Sequence, residues 1–357
     1  MNRLILVGNG FDLAHKLKTS YCDFVTDYIS NVINCFYEKF VSIDPLIEIK
    51  QKYAGYNIRV SSNSTSKSAI QELKNLQGHS SVVVEIKSDF LRGTLNRISD
   101  INWVDLENEY FDHLLKLRTP NGFIFNKVKE LNIEFEFLKT KLEEYLVRHQ
   151  KESDRAFSND YTTLFCEEIK RNDIVTISVK DQVPKQVLIL SFNYTSTLEK
   201  YKDSCKIIVP TQLNYIHGEL ESNSNPIIFG FGDEYNKNYQ EFENIRNKEL
   251  LKHIKSFSYF KTSNYHNLIR FIDADDFQVY ILGHSLGLSD RTMLRQIFEH
   301  HKCKSVKIFY HQTEDGKDDY TDKTFDISSH FTDKGEMRKK IVPFNLSFPM
   351  PQPGLLK

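Results

Sequence analysis

Arg3-Leu4-Ile5-Leu6-Val7-Gly8-Asn9-Gly10-Phe11-Asp12 is the stretch from which the rest of the chain is read. Its apolar run, Leu4 to Val7, stops at a glycine, the pattern of a parallel strand covered on both faces rather than one with a wet side. Two glycines directly after such a strand let the backbone turn tightly and approach a phosphate, and the helix that follows offers the positive end of its dipole to negative charge. The third glycine of the dinucleotide fingerprint is missing, and a tight strand-helix turn needs glycine even without a ligand. The turn alone leaves both readings open.

Further along, Tyr21, Phe24, Val25, Tyr28, Ile29 and Val32 recur at three and four residues, with Thr19 or Ser20 placed to cap, which predicts a long helix after the first strand and loop. Between Gln51 and Gln182 strand-helix alternation lapses and most periodic stretches are helical. Its clearest member carries Val128, Leu131, Phe135, Leu138, Leu142 and Tyr145 on one face. Packing against the body of the protein explains that face, and self-association of two copies is the alternative. Ser61-Ser62-Asn63-Ser64-Thr65-Ser66 reads as a mobile surface loop.

Past the insertion, Val187 to Leu190, Tyr215-Ile216, Ile227 to Phe229, Val279 to Leu282 and Val306 to Tyr310 read as strands. Leu288 to Phe298 reads as the helix linking the last two. Strands joined through helices make a doubly wound parallel sheet. The expected layout is an α/β protein with a Rossmann-like nucleotide-binding core from residues 1–50 and 183–312, a mainly helical insertion over 51–182, and a polar C-terminal extension over 313–357 without chemistry of its own.

The 357 residues, 40% of them hydrophobic, are enough to bury a substantial core. Lys and Arg total 47 against 48 Asp and Glu, a net charge of -1, so no bulk attraction to nucleic acid or an anionic membrane is built in. With no paired metal-binding carboxylate motif and no basic-aromatic stripe, a nucleic-acid partner is not expected. Cys22, Cys35, Cys166, Cys205 and Cys303 are scattered without a C-x-x-C pair, so they read as reduced thiols and no metal is expected. Leu4 to Val7 is too short for a signal-peptide core or a membrane span, which makes the cytoplasm the expected location.

Three other turns fall at the carboxyl ends of expected strands, where open α/β sheets place their ligands. They are Ser191-Phe192-Asn193-Tyr194-Thr195, His217-Gly218 and Gly283-His284-Ser285-Leu286-Gly287. Each also has a plain structural reading: Asn193 capping a helix near Ser196, His217 as a satisfied buried histidine, Gly283 turning the chain. Their joint placement after strands points to a ligand.

The run from Gly8 through His15-Lys16-Leu17 to Tyr21-Cys22-Asp23-Phe24 resembles the opening signature of the AbiH family of bacterial phage abortive-infection proteins, and Trp103-Val104-Asp105-Leu106-Glu107 resembles its second motif. The later turns are similar to those of sirtuin-like NAD-consuming proteins: Asn193-Tyr194 to a T-N-Y-D turn, His217-Gly218 to a catalytic H-G, Gly283-His284-Ser285-Leu286 to a late G-x-S nucleotide turn. Together the likenesses run from residue 4 to about 300. They imply a sirtuin-like sheet, NAD as substrate, and cleavage of its nicotinamide-ribose bond in infected cells. His217 and Asn193 would be catalytic. Gly8, Asn9, Gly10, Phe11, Asp12, Asp23, Gly218, Gly283 and Ser285 would surround the nucleotide. Thr195 stands where that pattern has Asp, the spacing to Asp23-Phe24 is longer, and the cysteine pairs of a zinc module are missing, so protein deacetylation is not implied.

The residue types suit that chemistry. Nicotinamide leaves a cationic ring as a neutral base, so no general acid is needed at that end. His217 would take a proton from water or a ribose hydroxyl, and Asn193 would orient it. Asp12, Asp105 and Glu107 could face the ribosyl cation, although Asp105-Leu106-Glu107 also reads as the acidic start of a helix. Core packing explains Trp103.

Two rivals remain. Gly283-His284-Ser285-Leu286-Gly287 fits the G-x-S-x-G of a serine hydrolase, with Ser285 as nucleophile, Asp290 or Asp315 as acid and His301, His311 or His330 as base. The other rival is a non-catalytic sensor of a nucleotide or phage component. Abortive infection requires control, for which a phage-derived trigger is a candidate partner and the helical insertion the candidate element.

Overall fold

Every residue of β1 (Asn2–Val7) is buried, as its uninterrupted apolar run requires. Five further strands join it in one sheet: β2 (Val187–Ser191), β3 (Thr211–Tyr215), β4 (Phe277–Leu282), β5 (Cys303–Tyr310) and β6 (Phe348–Pro349). Their order is β6-β5-β4-β1-β2-β3, with every pairing parallel. Leu4 sits between Leu188 on one side and Val279 on the other. Read from the far edge the order is 3-2-1-4-5-6, that of a doubly wound sheet. The chain runs outward from β1 to β3 and then returns to the opposite side of β1, so the direction reverses between β1 and β4.

Alternation along the strands builds two cores. Leu4, Leu6, Leu188, Leu190, Val279 and Ile281 face the helices Asn264–Ala274 and Arg291–Phe298. Ile5, Val7, Ile189, Tyr280 and Leu282 face Phe11, Phe165, Leu198 and Tyr201 from the other layer. Each such aliphatic side chain contributes about 1.5–3 kcal/mol on burial, which is why the central strands carry no polar interruption. Arg3 in β1 and Gln278 in β4 are exceptions; the two meet, Arg3 donating to Gln278 Oε1 at 3.3 Å, while the Arg3 Nε is left without a partner. The Arg3 guanidinium also donates to the Phe165 carbonyl at 3.1 Å and lies 4.1 Å from the centre of the Tyr280 ring.

The computed structural model describes residues 1–53, 66–101, 105–152 and 157–353. It divides into two units, one built from Met1–Leu17, His149–Glu241 and Ile254–Lys357, the other from Lys18–Arg148 and Phe242–His253. The expected boundaries at 50 and 182 differ from these. The long helix starting at Tyr21 belongs to the second unit, and Asn159–Cys166 packs Tyr161 and Phe165 onto the six-stranded sheet. The second unit is not purely helical either: Val41–Ile43, Ile47–Gln51 and Val82–Ile86 form an antiparallel sheet.

The helix Tyr21–Lys39 opens with Ser20 accepting from the Asp23 amide. Phe125–Glu152 is a single helix whose Val128, Leu131, Phe135, Leu138, Leu142 and Tyr145 are all buried. Phe135 meets Phe90 and Tyr110, and Tyr145 meets Phe24, so the apolar face is consumed within its own chain. The polar run expected as a mobile loop lies, up to Thr65, outside the described residues, and Ser66 begins the helix Ser66–Gly78.

Two further expectations give way. Ile227 to Phe229 is not a strand: Ile228 donates its amide to the His217 carbonyl at 2.7 Å and the segment folds back over that turn without a ladder. Residues after Thr313 are not an irregular tail. Tyr320–Ser328 and Lys334–Lys340 are helices, β6 extends the sheet, and Phe331, Val342 and Met350 are buried. Their apolar residues are too sparse to show a period. Among the described residues no helix is long and apolar enough to cross a membrane.

Candidate functional site

At the reversal between β1 and β4 the two strands end in glycine turns that lie backbone to backbone. A Cβ on Gly8 would come within 2.5 Å of the His284 Cα, and one on Gly10 within 2.7 Å of the Gly283 Cα. Gly283 itself has φ +65, and a side chain there would sit 2.3 Å from the Phe11 nitrogen. Gly8 donates its amide to the Leu282 carbonyl at 3.1 Å, Gly10 to Gly283 at 2.8 Å and Phe11 to Gly8 at 2.9 Å. Close approach of protein backbone therefore accounts for these glycines, and three of the amides that could cradle a phosphate already have carbonyl partners.

The turn after β2 closes the third side. Asn193 does not cap a helix; its Nδ2 donates to the Gly8 carbonyl at 3.1 Å. Thr195 donates its hydroxyl to Asp12 Oδ2 at 2.6 Å, so the residue standing in place of Asp holds a buried carboxylate of the first turn. Phe11 points away into an aromatic cluster with His15, Tyr161 and Tyr201. Phe192, between Ser191 and Asn193, packs edge-on against two imidazoles, His217 at 5.0 Å and His284 at 4.1 Å between ring centres.

Those imidazoles belong to a buried ionic cluster centred on Asp290, the residue before the helix Arg291–Phe298. Lys255 Nζ donates to Asp290 Oδ1 at 2.8 Å, His217 Nε2 lies 3.1 Å from the same oxygen, and His284 Nε2 lies 3.7 Å from Oδ2. A parallel bridge between Phe231 and Ile254 seats Lys255, whose side chain is 0% exposed. Gly232 lets this segment pass close to the Ser289 carbonyl, where a Cβ would be 2.6 Å away. Burying a carboxylate and an ammonium is tolerated only because they meet each other.

Burial alone would push the Asp290 carboxyl up, but the Lys255 charge and then the two imidazoles outweigh it and hold it well below the usual carboxylate range. Burial, and next the Lys255 charge, push His217 below its ordinary value against the opposite pull of Asp290 and a hydrogen bond to the Phe192 backbone. His217 is thus a neutral base beside a permanent carboxylate. Burial pushes His284 to about 3. Its Nδ1 accepts from the Leu286 amide at 2.9 Å, which leaves the ring proton on Nε2, toward Asp290. Leu286 carries φ +60, a left-handed conformation uncommon for a buried branched residue, and His330 Nε2 donates to its carbonyl at 2.8 Å.

One route leads from the cluster outward. The Tyr259 hydroxyl is 3.2 Å from His217 Nε2, and Tyr259 also lines a cavity of about 260 Å³ with Thr292 and Met293.

The structure thus brings Gly8, Gly10, Asn193, His217, Gly283 and His284 together around Phe192 and Asp290. Gly218 supports the turn: it has φ +89, and a Cβ would strike the Pro226 carbonyl at 2.3 Å. Asp23 lies in the other unit, where its carboxylate accepts from the Ser20 hydroxyl at 2.6 Å. Asp105 caps the helix Leu106–Lys116 by accepting from the Glu107 and Asn108 amides, also in that unit, while Trp103 and Val104 lie outside the described residues. Ser285 is exposed, and the backbone strain of a nucleophile elbow falls on Gly283 and Leu286 instead of on the serine. Of the proposed triad partners, Asp290 is engaged by Lys255, His330 is bound to a carbonyl, and His301 and His311 are exposed.

The sequence patterns single out neither Lys255 nor Tyr259, and give Asp290 the part of a hydrolase acid. A lysine flanked by Ile254 and Ser256 carries no local sign that it will be buried. His284 lies within Gly283–Gly287, a motif whose pattern assigns it no role.

The profile of the family described as Bacteriophage abortive infection AbiH matches residues 4–312, a span that takes in all four turns and Asp290. No curated protein matches the chain.

Proposed function

The chain belongs to the AbiH family of bacteriophage abortive-infection proteins, and from that premise we propose that it is an effector that hydrolyses the nicotinamide-ribose bond of NAD at the carboxyl edge of its parallel sheet. The observation that carries this is the pair His217–Asp290: a buried imidazole kept neutral, 3.1 Å from a buried carboxylate, at the reversal of a doubly wound sheet. That is where such sheets bind ligands, and the reading extends the sirtuin-like, Rossmann-like likeness of the four turns.

In the reaction the C1′–N1 bond breaks with its electron pair returning to the ring, neutral nicotinamide departs, and water adds to C1′ of the ribosyl cation. One proton is released. The tautomer of His217 protonated on Nδ1 leaves Nε2 to take that proton through the Tyr259 hydroxyl, and Asp290 stabilises the imidazolium that forms. Lys255 keeps Asp290 ionised and His217 deprotonated between turnovers. Asn193 orients the ribose or the water, and the nucleotide borders Asn9 and Ser285, which leave the apposed turns on their accessible side. Gly8, Gly10, Gly218 and Gly283 hold those turns in place.

A positioned general base contributes about a hundred- to ten-thousand-fold. The test is NAD consumption and nicotinamide release by purified protein, with and without phage lysate, wild type against His217→Ala. Loss of NAD by wild type alone is expected. Equal loss in the variant removes His217 from the chemistry, and no loss by either protein, with or without lysate, removes the hydrolase and leaves a nucleotide sensor.

A further inference from the structure

The cavity beyond Tyr259 has a chemistry of its own. Tyr239, Phe257, Tyr259, Phe260, Tyr265 and His266 line it together with Glu234, and no lysine or arginine does among the described residues. The rings are not arranged at random. His217 and Tyr259 are stacked with 15° between their planes, and Tyr259 and Tyr265 with 21° at 5.4 Å between centres. Phe260 is 80% exposed and Phe257 44%, so two aromatic faces at the mouth lie open to solvent. Glu234 donates its amide to nothing in the cavity, since that N–H is bound to Thr292 Oγ1 at 3.0 Å, and its carboxylate acts on the Tyr265 hydroxyl.

Aromatic faces carry negative charge density, and a carboxylate adds a full charge. Such a lining repels phosphate and attracts an organic cation. The open ring faces of Phe257 and Phe260 favour a flat guest over a spherical one.

We infer that this cavity is a binding site for a planar aromatic cation of the N-alkylpyridinium class, stacked on the open faces of Phe257 and Phe260 with Glu234 as counter-ion. Resting on the proposed function, that guest is the nicotinamide ring of NAD, which is a cation while attached to ribose and neutral once released. The cavity then distinguishes substrate from product by charge, and the bond to be broken lies on the side of Tyr259 and His217.

The experiment measures binding to the intact protein, by calorimetry, of 1-methylnicotinamide, nicotinamide and tetramethylammonium, for wild type, Glu234→Gln and Phe260→Ala. The cation is expected to bind about tenfold more tightly than neutral nicotinamide, the difference that roughly 1.4 kcal/mol of cation–aromatic and ionic attraction supplies. Glu234→Gln should reduce that preference to its cation–aromatic part while leaving nicotinamide unaffected, and Phe260→Ala, at a position 80% exposed, should weaken both rings. Equal binding of charged and neutral rings, tighter binding of tetramethylammonium, or no binding of either ring overturns the inference. Binding as expected without NAD consumption sinks only the hydrolase reading, and NAD consumption without the charge preference sinks only this one.

Discussion

Lys255→Met replaces the buried ammonium that meets Asp290 with a side chain of similar length and no charge. At the 2.8 Å separation and an effective dielectric constant of about 20, the attraction lost is on the order of 6 kcal/mol. Part of that was spent on burying the lysine, so the net loss of stability should be about 3–5 kcal/mol, the range for orphaning one member of a buried pair. The variant leaves His217 as the nearest group able to compensate. Because Lys255 is one of the charges that lowers the His217 pKa, its removal raises that pKa relative to wild type. The native variant then takes up a proton at a higher pH than native wild type does, so its deficit should be greatest at pH 8 and shrink as the pH falls to 6. Urea midpoints at both pH values, read by far-ultraviolet circular dichroism, measure this. Lys255→Met with Asp290→Asn should recover most of the loss at pH 8, since removing both charges leaves nothing buried and unpaired. A single-variant loss below about 1 kcal/mol, or a double variant as unstable as the single, would refute the ionic account of the cluster.

Gly283→Ala places a methyl 2.3 Å from the Phe11 nitrogen at φ +65, so at least about 2 kcal/mol of stability should be lost; an unchanged melting temperature contradicts the apposition of the two turns. Acid should weaken both units separately through His284 and His253, each pushed to about 3 by burial. Their folded pKa values are depressed, so the unfolded chain binds more protons below about pH 6.5 and stability falls as pH drops; at pH 5 each histidine removes on the order of 2 kcal/mol, and equal urea midpoints at pH 7.5 and 5 would count against it.

Much of the sheet was legible. The runs at Leu4 to Val7, Val187 to Leu190, Val279 to Leu282 and Val306 to Tyr310 are strands, and the linking helix sits at Leu288–Asp290 and Arg291–Phe298. What misled was composition without partners. Ile227 to Phe229 has a strand's residues but is drawn over the His217 turn by the Ile228 amide, and residues 313–353 have few apolar positions, of which Ile327, Phe331, Val342 and Met350 are buried on cores built by others. The strands of the second unit escaped notice because Val82 to Ile86 is short and half exposed. At the site, the four turns were legible by their glycines and their position after strands, and His217 and Asn193 do lie beside one another's neighbours there.

By itself the sequence determined which segments are buried on two faces, where glycine turns follow them, and which helix faces are apolar, because each of these is a pattern within a window of a few residues. Only the tertiary structure decided that the glycines of the β1 and β4 turns lie against one another, and that Asp290 meets Lys255, 35 positions earlier in the chain, together with His217 and His284. Such meetings depend on the order of strands in the sheet, which sets whose carboxyl ends are neighbours. A buried lysine and the carboxylate that makes its burial tolerable have no reason to be close in sequence, only in space.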